Sequence, residues 1–373
     1  MLRKGRTAMS ELDKIRENIN NIDEQMAQLF EKRMEMSEQV AAFKKARGLS
    51  IRDAEREREL IDRNRGSITD PAVASYYVQF LRGVLDLSCA YQSRLLSGMK
   101  VAYSGVEGAY GYLAARRMFP EARLIAYPDF AAAHRAVEVG EADSVVLPLE
   151  NSYAGEVGAV MDLLFSGELY INQVLDMEID HSLLGVENAT VDTVRAVVSH
   201  PQALRQCDDY IRSRGLETES YSNTALAARR VREANDPALG AIASEEAAAI
   251  FGLQVLDRNI NTAKNNTTRF AALSRTRNRP DATRKREDEN FVLVFTVQND
   301  AGSLAQTLNI IGAHGYNMRT LRSRPMKDLS WKYFFYVEAE GSINTTNGRE
   351  MLQELSATCA KLRLVGSYYA NNV

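Results

Sequence analysis

The sequence is poor in the residues that build metal centres and disulfide frameworks. Its 373 residues include three cysteines and four histidines. Cys89, Cys207 and Cys359 are odd in number and far apart, so they form neither a CxxC pair nor a disulfide framework, which fits a reducing cytoplasm. The histidines lack the spacing of zinc ligands, and we predict no metal and no cofactor. We expect structural or helix-capping roles for them: His134, His181, His200 and His314.

Long apolar runs and an excess of positive charge are also missing. No segment approaches the roughly 18 consecutive apolar residues of a membrane-spanning helix, and no apolar stretch typical of a secretion signal follows the basic N-terminus. Lys and Arg number 46 against 49 Asp and Glu, a net charge of −3, which disfavours nucleic acids and anionic membranes as partners. At roughly 100 to 200 residues per domain, the length predicts two or three cytoplasmic domains.

The first hundred residues predict an all-helical domain. Between Ser10 and Arg47 there is neither Gly nor Pro, and apolar residues recur every three or four positions, which indicates one amphipathic helix. Such a helix of about 37 residues is about 55 Å long. Shorter helices of the same domain cannot cover its apolar stripe, so we infer a homodimer in which the long helices pack together. Two further helices are predicted, one after the capping residues Ser50 and Asp53 and one from Asp70-Pro71 to about Leu96.

Charged and polar residues interrupt the apolar faces of these helices. Arg33 and Lys44 are eleven residues apart on the first helix, which places them three turns apart on one face. Unpaired cations in a helical core are costly, so an anionic partner is expected. The other interrupting residues are Asp53, Arg56 and Glu57 on the second helix, and Ser88 and Gln92 on the third. A buried salt-bridge network, or side chains that extend to solvent, is the alternative that needs no ligand.

Taken together, residues 10–96 resemble the all-helical chorismate mutase family. The resemblance implies rearrangement of the dianion chorismate to prephenate, a unimolecular reaction that positioning and charge stabilisation can accelerate without a cofactor. By resemblance, Arg16 of the partner chain and Arg33 hold the carboxylates, Lys44 and Gln92 donate to the ether oxygen, Glu57 accepts from the ring hydroxyl, and Asp53, Arg56 and Ser88 complete the site. Arg16 is offset from Arg33 by about 100° around the helix, so it points away from its own chain's site.

The middle of the chain predicts a different architecture. Short β-branched runs alternate with helical stretches, which indicates α/β layering with mostly parallel sheets. The predicted strands are 101–104, 144–147, 194–199, 241–244 and 268–273, and helices open near Ala109, Val157, Pro201, Thr224 and Glu245. In such sheets the ligand lies beyond the carboxyl ends of the strands. The dinucleotide fingerprint GxGxxG is missing, which disfavours a nicotinamide-dependent enzyme.

Several motifs lie at these strand ends. They are 105–110 (GVEGAY), 148–152 (PLENS), 199–202 (SHPQ), 223–225 (NTA) and 267–270 (TTRF). Each is weak alone, and Ser-His-Pro is more often a helix cap. In this order they resemble the prephenate dehydratase family, whose catalytic domain is similar to two-lobed periplasmic binding proteins.

The dehydratase resemblance implies conversion of prephenate to phenylpyruvate with loss of CO₂ and water. Thr268 is then expected to protonate the departing ring hydroxyl. The residues implied to line the cleft are Glu150, Asn151, Ser199, Gln202 and Thr224, with Arg269 as partner of a substrate carboxylate. Gly111 stands where the family often has Ser, which removes one hydroxyl from the cleft wall.

The end of the chain predicts a third domain. Residues 276–289 are polar and rich in Arg, which is typical of a linker. Beyond them the predicted strands are 290–298, 318–324, 331–340 and 365–369 and the predicted helices 302–314 and 349–362, and this βαββαβ order is ferredoxin-like.

Two motifs in this part resemble the ACT regulatory module. They are Gly302-Ser303-Leu304 at a helix start and Arg322-Ser323-Arg324-Pro325 at a strand end. The resemblance implies feedback inhibition by phenylalanine bound between paired copies, with helix-start N–H groups available to its carboxylate. Arg322 replaces the usual Glu and reverses a local charge, and Ser303 replaces the usual Ala. The alternative is a purely structural dimerisation lobe.

The order of segments resembles the bifunctional family that joins chorismate mutase to prephenate dehydratase in phenylalanine biosynthesis. The predicted boundaries are 1–97 for the helical domain, 98–275 for the dehydratase, 276–289 for the linker and 290–373 for the ACT domain. A catalytically silent amino-acid sensor, an enzyme with only one working site, and a preference for arogenate in the second step remain as alternatives. Turnover of chorismate and a comparison of prephenate with arogenate distinguish them.

Overall fold

The computed structural model describes residues 11–278, 285, 288–326 and 332–369. Most of the predicted linker and Trp331 of a predicted strand lie outside these described residues. The chain divides into two compact units, of which the first ends at Met99 and the second begins at Lys100.

The first unit consists of helices. They are α1 (Glu11–Arg47), α2 (Ala54–Arg65) and α3 (Pro71–Ser97). The 37-residue α1 confirms the helix predicted from periodicity. The capping residue of α2 is Asp53 rather than Ser50, because the Asp53 side chain accepts a hydrogen bond from the Arg56 amide at 3.0 Å. Asp70 caps α3 in the same way, with Pro71 at its first position.

The apolar stripe of α1 remains uncovered within its own unit. Ile15, Ile19, Ile22 and Leu29 are between 50% and 65% exposed. Among the residues of this helix, only Ser37 and Ala41 are buried. An apolar row this long on a soluble surface is typical of an interaction site.

The second unit is α/β. Its strands are β1 (Lys100–Ser104), β2 (Arg123–Tyr127), β3 (Ser144–Asn151), β4 (Gly155–Glu156), β5 (Tyr170–Glu178), β6 (Ser182–Gly185), β7 (Ala196–Ser199), β8 (Glu217–Ser220), β9 (Leu239–Ala243), β10 (Gln254–Asp257), β11 (Thr267–Ser274), β12 (Glu289–Val297), β13 (Met318–Pro325), β14 (Tyr333–Glu340) and β15 (Cys359–Tyr369). Its helices are α4 (Tyr110–Met118), α5 (Phe130–Glu138), α6 (Gly158–Ser166), α7 (Pro201–Gln206), α8 (Asp208–Arg214), α9 (Thr224–Ala234), α10 (Glu245–Phe251), α11 (Ser303–Ala313) and α12 (Thr346–Thr358). The predicted helix starts near Ala109, Val157, Pro201, Thr224 and Glu245 are confirmed.

The strands form two mixed sheets. The larger follows the order β13-β14-β12-β15-β5-β11-β3-β1-β2, with β4 on β3, and the smaller follows β10-β6-β9-β7-β8. The prediction of mostly parallel sheets is wrong. Strand β1 is parallel to β2 and β3, and β7 to β8 and β9, but β11 runs antiparallel to β3 and β5. The chain crosses to the smaller sheet after β5 and returns to the larger sheet on β11. The returning strand therefore runs antiparallel to its neighbours β3 and β5.

The C-terminal part has the predicted βαββαβ order, with four of its strands in the sequence β13-β14-β12-β15. The predicted last helix was extended too far, because Cys359–Leu362 belong to β15. These residues pair with β12 from Val297 opposite Cys359 onward, and the hydrogen bonds of this ladder outweigh local helix preference.

This C-terminal module is continuous with the larger α/β sheet. Strand β15 pairs in parallel with β5 at Gly366 and Ile171, where a Cβ on residue 366 would overlap the Ile171 backbone. One hydrophobic core includes Val145 and Leu147 together with Val292 and Val365. The α/β lobes and the module therefore form one compact unit.

The described residues also bear on metals and membranes. None of the described helices is both long and apolar enough to cross a membrane. Within the same residues, no cluster of His, Cys, Asp and Glu could hold a metal ion. The three cysteines carry free thiols.

Candidate active sites

A cavity of about 260 Å³ lies between the helices of the first unit. Seven of the eight residues predicted for a mutase site line it: Arg33, Lys44, Asp53, Arg56, Glu57, Ser88 and Gln92. Val40 and Leu85 contribute an apolar part of the wall. The charged and polar residues predicted from the three helical segments therefore meet at one cavity.

Neutral groups hold two of the cavity cations. Arg33 Nη1 donates to the hydroxyl of Ser88 and, at 3.5 Å, to the carbonyl oxygen of Val84. Lys44 Nζ donates to the carbonyl oxygen of Ile51. Because these partners are uncharged, both positive charges remain uncompensated and can attract an anion.

The opposite wall contributes a carboxylate and an amide. Glu57 Oε1 lies 3.2 Å from Arg52 Nε and 3.7 Å from the Cys89 Sγ, which donates to it. Burial raises the pKa of the Cys89 thiol, so this thiol is protonated at neutral pH. Gln92 is buried, and its Oε1 has no hydrogen-bond partner among the described residues. A buried amide of this kind can reorient toward a ligand.

The charge of the cavity suits an anion only in part. Three cations, Arg33, Lys44 and Arg56, line the cavity with two carboxylates, Asp53 and Glu57. Outside the lining, Arg52 pairs with Glu57 and Glu59 pairs with Arg56, each at 3.2 Å. The eighth predicted residue, Arg16, is not brought to this cavity within one chain. Its side chain is 67% exposed and its guanidinium lies 3.8 Å from Asp13.

A second cavity, of about 520 Å³, lies between the two sheets of the second unit. Four residues predicted for the dehydratase site line it: Asn151, Gln202, Thr224 and Thr268. Gly111 lies in the same wall, as the family comparison of the first motif predicted. Five helices begin at the cavity, since first or capping residues of α4, α5, α6, α7 and α9 line it.

These helix starts make the second cavity attractive to anions. None of the described residues that line it is a Lys or an Arg. Helix N-termini instead present the positive ends of the helix dipoles and first-turn N–H groups, of which those of Gln202 and Leu226 donate to the capping side chains of His200 and Asn223. Neutral donors such as Ser104, Gln202 and Thr224 add to them.

Thr268 is held by an asparagine. Its Oγ1 accepts a hydrogen bond from Asn151 Nδ2 at 2.9 Å. Asn151 Oδ1 accepts from the amides of Tyr153 and Ala154 at 3.1 and 2.9 Å, which fixes the orientation of its side chain. With its lone pair engaged by Asn151, the Thr268 hydroxyl can direct its own proton toward the cavity.

Sequence reasoning missed a row of buried polar residues beside Thr268. Asn266 Oδ1 accepts from Asn151 Nδ2 at 2.8 Å and from Gln206 Nε2 at 3.3 Å. Gln206 Oε1 lies 2.9 Å from His181 Nε2, and His181 Nδ1 lies 3.1 Å from the hydroxyl of Tyr110. The sequence signal that could have found Gln206 is its position one turn after Gln202 on α7.

Three predicted cleft residues are not brought to the cavity. Ser199 is fully buried and donates to the carbonyl oxygen of Ile242 at 2.5 Å. Glu150 directly precedes Asn151, and Arg269 directly follows Thr268. Because side chains alternate between the two faces of a strand, Glu150 and Arg269 point to the opposite face, away from the cavity. Arg269 binds Asp176 there, with Nε 2.8 Å from Oδ1, and this hydrogen bond raises its pKa.

On that face, the lobe meets the C-terminal module through ion pairs. Arg322 pairs with Glu150, which is the residue directly before Asn151 in the sequence. Arg269 Nη1 lies 3.5 Å from both Glu150 and the buried Glu338. Arg324 pairs with Glu156 and lies 3.3 Å from Asp162. The residue that departs from the usual regulatory motif, Arg322, therefore contacts the strand that carries the Thr268 partner.

The remaining predicted regulatory residues lie at the start of α11 and on β13. Gly302 is its capping residue, with a positive φ of 87° that favours glycine, and Ser303 and Leu304 open the helix. Ser323 and Pro325 lie with Arg322 and Arg324 on β13, at the edge of the larger sheet.

Two family models match the chain. The prephenate dehydratase model matches residues 101–278, and the model for type II chorismate mutase matches residues 15–93. The mutase model covers most of the first unit, and the dehydratase model covers the part of the second unit that precedes the C-terminal module. The matches and both cavities define a two-activity enzyme of aromatic metabolism.

Comparison with individual proteins identifies the family within this class. A bifunctional chorismate mutase/prephenate dehydratase of Enterobacter agglomerans is 30% identical over 377 residues, which cover 96% of each chain. An arogenate dehydratase/prephenate dehydratase of Arabidopsis thaliana is 33% identical over 286 residues, 73% of this chain and 72% of that one. A solved prephenate dehydratase of Arthrobacter aurescens in complex with L-Phe has a TM-score of 0.67 and 25% identity over 73% of this chain and 90% of its own. The chain belongs to the bifunctional chorismate mutase/prephenate dehydratase family.

Proposed function

We propose that this enzyme rearranges chorismate to prephenate in the helical unit and converts prephenate to phenylpyruvate in the α/β unit, as a step pair of phenylalanine biosynthesis in the cytoplasm. The observation that carries the proposal is the convergence of seven predicted residues from three helices on one cavity. A catalytically silent amino-acid sensor does not require a cavity in the helical unit whose cations, Arg33 and Lys44, are held by neutral groups.

In the mutase site, Arg33 binds a substrate carboxylate, where its planar guanidinium can form two parallel hydrogen bonds. Lys44 and Gln92 donate to the ether oxygen, on which negative charge develops as its bond to the ring breaks. Glu57 accepts from the ring hydroxyl and selects the compact conformer. Asp53 caps α2 and so holds Arg56 and Glu57 at the cavity wall.

A second copy of the chain completes the mutase site. The exposed stripe of α1 supports a homodimer, because helix-on-helix packing would bury it. Arg16 of the partner subunit adds a further positive charge to Arg33 and Lys44, and these cations face the two carboxylates of chorismate.

In the dehydratase site, the starts of α4, α7 and α9 attract the substrate carboxylates. Thr268 donates its proton to the departing hydroxyl, and Asn151 assists, since a hydroxyl that accepts a hydrogen bond becomes a better donor. Loss of CO₂ makes the ring aromatic and supplies the driving force. Asn151, Gln202 and Thr224 position the substrate.

Phenylalanine regulates the second step through the C-terminal module. Its carboxylate binds the N–H groups at Gly302, Ser303 and Leu304, and the paired modules enclose it. Arg322 and Arg324 connect the module to the lobe that carries Asn151, which gives the ligand a route to Thr268. The Arthrobacter aurescens dehydratase in complex with L-Phe supports this ligand.

A coupled assay on the purified chain tests the whole proposal. Loss of chorismate and appearance of phenylpyruvate are measured with and without millimolar phenylalanine, and prephenate and arogenate are compared as substrates of the second step. We expect both reactions, faster turnover of prephenate, and inhibition of the second reaction by phenylalanine. No turnover of chorismate would support the silent sensor instead.

A further inference from the structure

A continuous row of buried hydrogen bonds leads away from Thr268. It runs through Asn151, Asn266, Gln206 and His181 to Tyr110. His181 is 1% exposed and lies between β5 and β6, where the chain passes from the larger sheet to the smaller one. Asn266 lies at the return crossing, directly before β11.

Backbone groups fix the polarity of this row from the Thr268 end. Asn151 Oδ1 accepts from two amides, so its nitrogen must face Asn266. Asn266 Nδ2 donates to the carbonyl oxygen of Ile179 at 3.2 Å, so its oxygen faces Asn151 and Gln206. Two acceptors do not bond to each other, and Gln206 must therefore present its nitrogen to Asn266.

The same logic determines the histidine tautomer. With its nitrogen on Asn266, Gln206 turns Oε1 toward His181 Nε2, which must carry a proton to donate. His181 Nδ1 is then unprotonated and lies 3.1 Å from the hydroxyl of Tyr110, which donates its proton to the carbonyl oxygen of Asp180 at 2.7 Å. Burial lowers the pKa of His181, which keeps the ring neutral at pH 7 and agrees with this assignment.

The Gln206 amide has a consequence for the substrate. One of its two N–H bonds is used by Asn266, and the other is left for the cavity that Gln206 lines. A flipped amide would place its oxygen against both Asn266 Oδ1 and an anionic ligand. Whether the Gln206 amide presents a donor or an acceptor matters most when the ligand is charged, because hydrogen bonds to charged groups are the strongest.

We propose that His181 is a positioning residue of the dehydratase site, whose Nε2–H tautomer holds the Gln206 amide as a donor toward the anionic substrate. This inference rests on the proposed dehydratase function of the same cavity. It assigns a task to a histidine for which the sequence indicated only a structural role.

Variants of His181 test its action through Gln206. His181→Leu removes the donor and should lower kcat/KM for prephenate by about 10-fold to 100-fold, the value of a hydrogen bond to a charged group. His181→Gln retains a donor of similar reach and should recover most of that loss. In a Gln206→Leu background, His181→Leu should cause no further loss, because both changes remove the same contact.

Controls separate positioning from folding. The thermal transition of the second unit, measured on the same His181→Leu sample, reports whether that unit is folded, and His314→Gln, in the C-terminal module outside the cavity, should leave prephenate turnover unchanged. Equal losses in the Leu and Gln variants, or additive losses with Gln206→Leu, would overturn the proposal.

Nitrogen NMR tests the tautomer without any substrate. With four histidines in the chain, ¹⁵N-histidine labelling gives few signals, and the one lost in His181→Gln is assigned to His181. We expect a protonated Nε2 and a bare Nδ1 at pH 7, and a protonated Nδ1 would refute the inference. If the wild-type enzyme does not turn over prephenate, the proposed function fails, while this spectrum still decides the tautomer.

Discussion

Individual cations are the basis of the ligand proposed for the helical unit. Arg33 and Lys44 are predictable from sequence, because a charged residue on an apolar helical stripe stands out against the period of its neighbours. Asn266 and His181 are not, because polar residues in a crossing segment have no period to interrupt, and Gln206 is indicated only by its spacing from Gln202. Their relation depends on contacts between residues up to 60 positions apart.

Removal of Lys44 should abolish most mutase activity. Lys44→Ala deletes a donor to the ether oxygen, and we expect kcat for chorismate to fall at least 100-fold, as for a single donor at a developing oxyanion, worth roughly 10² to 10³. Lys45→Ala removes the adjacent cation, which is exposed and does not line the cavity, and should have little effect. A Lys44→Ala enzyme within threefold of wild type would contradict the assigned role.

Removal of the Thr268 hydroxyl should separate the two reactions. A Thr268→Ala enzyme fed with chorismate should accumulate prephenate, because the first step is intact and the second lacks its proton donor. The matched control is Thr267→Ala, since the neighbouring threonine does not line the cavity. Undiminished formation of phenylpyruvate by Thr268→Ala would exclude Thr268 as the acid.

At the scale of elements, local patterns predict some boundaries and miss others. Helix α1 follows from its uninterrupted period and lack of Gly and Pro. The start of β15 does not, because Cys359–Leu362 are drawn into a strand by pairing with β12, more than 60 residues earlier in the chain. The reversed direction of β11 escapes sequence reasoning for the same reason, since it depends on a return from another sheet.

Strand β13 offers a test of regulation. Arg322→Ala removes the ion pair to Glu150, so a ligand on the module should affect the catalytic lobe less. We expect phenylalanine to bind with similar affinity by calorimetry, but its maximal inhibition of prephenate turnover to fall by roughly half or more. The control is Arg319→Ala, whose guanidinium pairs at 3.5 Å with Glu340 of the module itself. Full inhibition in Arg322→Ala would contradict this route.

At the scale of the whole molecule, the sequence predicts the order of activities but not the continuity of the second unit. Three separate domains are expected from the linker-like composition of residues 276–289. In the structure, β15 extends the dehydratase sheet instead, and the close approach of Gly366 to Ile171 makes this possible. Such a contact between distant strands has no local signal in the sequence.

The distribution of histidines predicts different acid sensitivity for the two units. All four histidines lie in the second unit, and burial lowers the pKa of His134, His181 and His200. Below a pH of about 6.5 these histidines bind protons more readily in the unfolded chain than in the folded one. The free energy of unfolding therefore decreases as the pH falls. His314 opposes this, because its hydrogen bond with Asn347 raises its pKa, but it is one group against three.

Calorimetry of the full chain at pH 7.5 and 5.5 measures this difference. The transition of the second unit should move down by a few degrees (about 2 to 4 °C per kcal/mol), and that of the helical unit should move less. The His314→Gln variant should show a shift at least as large, because it lacks the group that opposes the effect. Equal movement of both transitions would contradict the assignment to the buried histidines.

The central claim is that each mutase site takes Arg16 from one chain and Lys44 from another. Arg16→Ala and Lys44→Ala chains, each with little activity alone, can be coexpressed so that they assemble at random. Half of the dimers are then mixed, and each mixed dimer has one intact site and one doubly defective site. We predict about a quarter of wild-type mutase activity in the mixture; activity no higher than the mean of the two separate variants would contradict the claim.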